Sequence, residues 1–254
     1  MRCKREAPIV AFARSIRSED PGIGARKIWL MAGNVFGERM IGRDAFYALL
    51  EREGLRLRRP RPRHTTNSNH RYHKYHNMIK DFVPHGPNLL WVSDITYIQL
   101  ANGECCYLHL VTDAYSHKVI GWCLSPTLEA KYTLDALREA INQAQGYDLS
   151  KLIHHSDRGV QYCCDEYITQ LKEHHIRISM TEDSNPTDNG MAERVNGIIK
   201  NEFLEPLQTP KNLLEALPLV DHAVRTYNTL RRPHLNLNMR TPAQVYEGNN
   251  NFIG

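Results

Sequence analysis

Three apolar, β-rich stretches constrain this chain more than any other feature: LWVSDITYI from Leu90 to Ile98, CCYLHLV from Cys105 to Val111, and KVIGWCL from Lys118 to Leu124. The links between them carry Asn102-Gly103 and Tyr115-Ser116-His117. Links this short predict antiparallel neighbours, a meander of three strands. Downstream, the apolar spacing predicts a helix over Leu128 to Gln145, a strand over Leu152 to His155 and a helix over Tyr162 to His174. A strand over Arg177 to Met180 and a helix over Asp188 to Phe203 follow. Three strands and then alternating helices and strands describe an α/β fold, a mixed five-stranded sheet flanked by helices. A closing helix over Lys211 to Tyr227 carries Pro218 and should kink there.

Ahead of the sheet the chemistry changes. Ile9 to Arg17, Gly24 to Ala32 and Ile41 to Glu53 read as three short helices, with Gly33 to Met40 as a connector and Gly54 as the last cap. Residues 1–80 hold 18 Lys and Arg against 7 Asp and Glu, whereas the remainder holds 14 against 21. A basic half joined to an acidic half suggests that the first half holds a polyanion. Three helices on that half fit a small all-α, helix-turn-helix-like module, or a helical bundle packed on the main domain. Next come Arg56, Arg58, Arg59, Arg61 and Arg63, interrupted by prolines that forbid helix, a run suited to lying along a phosphate backbone. His70, His73 and His76 follow, but no C-x-x-C pair completes a zinc site around them. The expected division is a helix-turn-helix-like, polyanion-holding module over 1–60, a basic linker over 61–87, a core built on the sheet over 88–210, and a helix and tail over 211–254.

No apolar run approaches the length of a membrane span, and MRCKRE leads into no apolar signal core. The adjacent pairs Cys105-Cys106 and Cys163-Cys164 make no disulfide framework, so free thiols in a reducing cytoplasm are expected.

Three acids stand out by position. Asp94 interrupts the apolar alternation of the first strand, Asp157 follows directly on the strand Leu152 to His155, and Glu193 lies in the first turns of a helix. Thirty-five residues separate the last two, room for a helix, a strand and a loop that return Glu193 to the sheet edge. Carboxylates brought together without a cation repel, so their convergence implies a divalent metal. Singly, each also suits an ordinary structural role: a cross-strand bond, a turn, a helix N-terminus. Asp188 reads as the N-cap of the Glu193 helix, with Asn185-Pro186 setting its entry. Lys200 falls about two turns after Glu193 on the same face, suited to a neighbouring phosphate, with Arg194 beside it.

WVSDITYI, HHSDRGVQY and NPTDNGMAERVNGIIKNE closely resemble the three acidic blocks of bacterial insertion-sequence transposases with a retroviral-integrase-like catalytic core. The chain is similar to the second, catalytic product in the group whose transposase comes from two overlapping reading frames. GARKIW and the segment ending LEREGLR look like its upstream helix-turn-helix, and RRPHLNLNMRTPAQVY like its C-terminal tail. The resemblance implies a ribonuclease-H-like fold and a DDE triad of Asp94, Asp157 and Glu193 holding two Mg²⁺ ions, with Mn²⁺ as substitute. It implies nicking of double-stranded DNA at the element end by water, then attack of the freed 3′-hydroxyl on target DNA without a covalent protein–DNA intermediate. It further implies a homo-oligomer on DNA, a first-reading-frame helix-turn-helix partner that supplies end recognition, and a cytoplasmic, nucleoid-associated location without membrane contact. The competing expectation is a non-catalytic DNA-binding regulator derived from such a transposase and using residues 1–80.

Overall fold

The computed structural model describes residues 2–57, 71–182, 189–230 and 234–248. Arg58, Arg59, Arg61, Arg63, His70, Asn185-Pro186 and Asp188 lie outside the described residues. Three helices open the chain: α1 (Arg2–Glu19), α2 (Ala25–Phe36) and α3 (Arg43–Arg52). Ile9, Ala13, Ile28, Phe46, Leu49 and Leu50 close a core of their own among them. Two boundaries differ from expectation. α1 begins upstream of Ile9 and holds Pro8 within it, its early turns tied to α3 where Glu6 meets Arg52 at 2.7 Å. α2 runs through Gly33 into the expected connector, because Phe36 packs edge-on against Phe12 with ring centroids 5.8 Å apart. The cap on α3 is as expected: Gly54 takes φ +67° and the Leu55 N–H donates to the Leu50 carbonyl at 2.7 Å.

The predicted meander forms as β1 (Leu90–Gln99), β2 (Cys105–Asp113) and β3 (Val119–Ser125). After α4 (Ala130–Gln143), β4 (Ile153–Ser156) and β5 (Arg177–Met180) add to the sheet in the order β3-β2-β1-β4-β5. β1 is antiparallel to β2 and β2 to β3, whereas β1–β4 and β4–β5 are parallel. Alternation along β1 sends Trp91 and Ile95 into the cluster shared with α4, and Val92 and Ile98 to the opposite face. α4 approaches β3 so closely that a Cβ on Gly121 would collide with the Ala136 carbonyl and stand 2.7 Å from the Ala140 amide.

The single helix expected over Tyr162 to His174 is two, α5 (Val160–Cys163) and α6 (Asp165–Glu173). Cys164 breaks them with an extended backbone, φ −68° and ψ 151°, and Asp165 and Glu166 then occupy the favourable first turn of α6. The helix expected over Asp188 to Phe203 is α7 (Gly190–Ile198), continued by a π-helical turn over Ile199–Leu204. Its N-cap position is Asn189, whose side chain is drawn away to donate to the Ser93 carbonyl at 3.1 Å. α8 (Leu213–Thr229) is capped by the Asn212 side chain, contains Pro218, and buries Val220, Ala223 and Tyr227 in the cluster formed by β1 and β2. α9 (Pro242–Tyr246) starts at a Thr241–Gln244 capping box and pins the chain back through Tyr246, whose hydroxyl donates to Asn88 at 3.0 Å.

Two connections bear on the site. The segment before β1 lies along β5: the Met78 N–H donates to Ser179 Oγ at 2.8 Å and the Asn77 N–H to Glu182 at 3.0 Å. Ile79 and Phe82 from that segment pack in one cluster with Met191 and Ala192 of α7. The opening helices meet the π-helical turn, where the Gly22 N–H donates to the Glu202 carbonyl and Lys27 Nζ lies 3.4 Å from the Glu202 carboxylate.

Candidate active site

Strand geometry brings the first two acids together. β1 and β4 pair in parallel with Trp91 opposite His154 and Val92 opposite His155. Two residues further in the same register, Asp94 is level with Asp157, just past the end of β4. Asp94 shares its strand face with Val92 and Ile98, the residues that α7 covers through Ala192, Val195 and Ile199. Glu193 stands on this helix, exposed, in its first turn.

The electrostatics report the convergence. Burial first, then the Asp157 charge and more weakly Glu193, push the Asp94 carboxyl up to about 7. Two donors oppose this: the Ile95 N–H reaches Asp94 Oδ1 at 2.9 Å and Asn196 Nδ2 reaches Oδ2 at 2.7 Å. No lysine or arginine among the described residues forms a salt bridge with Asp94 or Glu193. Asp157 is held by its own turn, accepting from the Gly159 N–H at 2.9 Å. Among the described residues, no three acid, histidine or cysteine side chains stand close enough together to hold a metal ion, Asp94, Asp157 and Glu193 included. Like-charged groups are expected to stand apart in this way when no cation draws them together. Carboxylate oxygens are hard donors of the kind that suit a divalent ion such as Mg²⁺.

The remaining predicted contacts divide. Lys200, in the π-helical turn, sits with its ammonium 3.7 Å above the Tyr97 ring, three residues along β1 from Asp94. Arg194 is exposed and, after burial, its charge lowers the pKa of His117 at the β2–β3 corner. Arg56 is exposed on the opening module and pairs with Glu51 at 2.6 Å. Sequence reasoning missed Asn196, although its place one turn after Glu193 on the same helix was readable from spacing. It also missed the buried layer beneath the acids, where His154 Nε2 meets Ser93 Oγ at 2.8 Å and the Tyr167 hydroxyl at 2.9 Å.

Comparison with known proteins agrees with this geometry. Two models, both described as integrase core domain, match residues 84–186 and 174–242. The chain is 35% identical over 188 residues to the Mycobacterium tuberculosis protein named as a transposase of insertion element IS986/IS6110. That match covers 72% of this chain and 66% of the relative's length. It is 31% identical over 210 residues to the 31 kDa protein of insertion element IS600 from Shigella sonnei, covering 82% of this chain and 76% of that one. Among solved structures, a chain of the simian T-cell lymphotropic virus intasome superposes with a TM-score of 0.52 at 19% identity. It covers 95% of this chain and 76% of that chain, a likeness of fold. An integrase core built on a ribonuclease-H-like sheet, with these relatives across most of its length, means that the chain belongs to the integrase-core family of bacterial insertion-sequence transposases.

Proposed function

We propose that this chain catalyses metal-dependent cleavage of DNA at the ends of an insertion sequence and transfer of the freed 3′-hydroxyl to a target phosphodiester. The observation that carries the proposal is the register of β1 and β4, with Asp94 level with Asp157 beneath the helix bearing Glu193. Asp94, Asp157 and Glu193 would hold the divalent ions, two Mg²⁺ with Mn²⁺ as substitute. Bound ions would activate the attacking oxygen and stabilise the leaving one. The protein's part is orientation. Asn196 and the Ile95 amide fix both oxygens of Asp94, and the Asp157 turn fixes one oxygen of the second carboxylate. Lys200, whose ammonium lies over the Tyr97 ring three residues along β1 from Asp94, is the cation suited to the phosphate next to the cut, with Arg194 beside it. Double-stranded DNA would run from these residues to the opening module over 1–60 through the linker over 61–87. The chain would act as a homo-oligomer on DNA in the bacterial cytoplasm, nucleoid-associated when bound, with a first-reading-frame helix-turn-helix protein recognising the element ends.

A labelled double-stranded element end tests this in Mg²⁺ and Mn²⁺. The wild-type chain should nick the end and join it to target DNA. Asp157→Asn should retain the DNA in a mobility-shift assay without cleaving it. Cleavage by Asp157→Asn equal to wild type would refute the assignment of the acids. DNA binding without cleavage by either protein would leave a regulator as the better description.

A further inference from the structure

Beneath the acids, one polar group is buried to no purpose that the protein alone supplies. Tyr162, on α5, is 2% exposed, and its hydroxyl has no hydrogen-bond partner among the described residues. Its neighbour Tyr167 is fully buried too, yet its hydroxyl is hydrogen-bonded to His154 Nε2 at 2.9 Å. The Tyr162 ring meets the Tyr167 ring edge-on with centroids 5.6 Å apart, a contact that phenylalanine would make equally well. A buried hydroxyl without a partner is costly, so its retention suits a bond made only when the acids beside it take up a different orientation.

The surroundings name that partner. After burial, the charges of Asp94 and then Asp157 act on the Tyr162 hydroxyl. Asp157 Oδ1 and the Tyr162 ring also flank a single point: a Cβ on Gly159 would stand 2.9 Å from the carboxylate oxygen and 3.6 Å from ring atom Cδ2. Gln161 Oε1 stands 3.1 Å from the same point, so the Asp157 turn packs closely beside the Tyr162 ring. Asn196 approaches Asp94 from the opposite side, on α7.

We propose that the Tyr162 hydroxyl is a positioning donor for the Asp94–Asp157 pair, holding the two carboxylates in the orientation in which they take a divalent ion. Tyr162 is not itself a ligand. Its hydroxyl donates to a carboxylate oxygen turned away from the ion, directly or through one water, as outer donors commonly orient metal-binding groups. The inference rests on the metal-holding role proposed for the acids.

The test uses the full chain without DNA, titrated with MgCl₂ and followed by calorimetry and thermal unfolding. Tyr162→Phe removes one hydroxyl that has no partner among the described residues. Its metal-free Tm should match or exceed that of wild type, while the Mg²⁺ concentration for half-maximal stabilisation rises about tenfold. Tyr167→Phe is the control. It should lower the metal-free Tm, because it breaks a bond to His154, and leave the Mg²⁺ titration in place. A Tyr162→Phe protein with reduced metal-free stability and an unchanged titration, or one that does not fold, would overturn the inference. A titration unchanged in Tyr162→Phe but abolished in Asp157→Asn would overturn it while sparing the acids. A wild-type Mg²⁺ response in Asp157→Asn would overturn both.

Discussion

Two aspartates on neighbouring strands, Asp94 half-buried and Asp113 fully buried, show what a single residue's surroundings decide. Asp113, at the end of β2, accepts from the Asn88 N–H at 2.8 Å and from both the amide and hydroxyl of Ser116 at 2.8 and 2.6 Å. It is a corner brace. Asp94 has two donors and faces two other acids. The sequence separated them by position, since Asp94 interrupts the alternation of the first predicted strand whereas Asp113 lies beyond the second, and by the transposase-like block around Asp94. Asn196 and Tyr162 stayed hidden for a related reason, since an uncharged residue on a helix does not stand out until its neighbours are known. The raised Asp94 pKa makes a prediction with a definite sign. A carboxyl that titrates near 7 when folded and near 3.8 when unfolded costs nothing below pH 3.8. The cost grows as pH rises through that window and is complete above about 7. Asp94→Asn removes the charge, and Asn196, whose Oδ1 has no partner among the described residues, can turn its amide to accept from the new side chain. Without divalent ions, Asp94→Asn should therefore unfold about 5 °C above wild type at pH 8, with the gap narrowing toward pH 5. Adding Mg²⁺ should raise the wild-type Tm and leave that of Asp94→Asn where it was. An identical pair of metal-free melting curves at pH 8 would contradict the buried charge.

At the scale of elements, period-2 alternation and tight turns were legible and the five strands lie within a residue or two of their predicted places. Helix ends were less so. The break at Cys164 and the π-helical turn over Ile199–Leu204 follow from what these segments pack against, and nothing in their local composition announces it. The π-helical turn is the ground on which the opening helices meet the core, through Gly22 and Lys27 on Glu202. One element contact leaves no slack. Gly121 of β3 lies against α4, where even a methyl group would press on the Ala136 carbonyl and the Ala140 amide. Backbone atoms of a helix do not yield as a flexible side chain would, so Gly121→Ala should force α4 off the sheet. The expected loss is about 3 kcal/mol in urea unfolding, at the upper end of ordinary overpacking. A change under about 0.5 kcal/mol would mean that α4 shifts at little cost.

Across the whole molecule, the sign of charge divides the work. Residues 1–80 carry a large excess of Lys and Arg, whereas the residues that build the sheet and its three acids are net negative. On the proposed function, the acidic half would repel DNA until cations neutralise it, and attraction over distance would come from the basic half. This division was readable from composition, but the way the halves join was not. The segment leading out of the basic run fastens along β5 and packs with α7 through Ile79 and Phe82, so on the proposed function DNA held upstream would be tethered close to the acids. Arg58, Arg59, Arg61 and Arg63 are then expected to act through phosphate contacts alone. Each phosphate neutralised releases condensed counterions, and the slope of log K against log salt steepens by about 0.9 per contact on duplex DNA. Replacing the four arginines by glutamine should flatten that slope by about 3 to 4, weaken binding most at low salt, and leave the Tm of the sheet domain unchanged. The comparison is made by fluorescence anisotropy on the same duplex across a salt series. A slope equal to wild type would mean that these side chains never reach the backbone and that the opening helices carry the attraction by themselves.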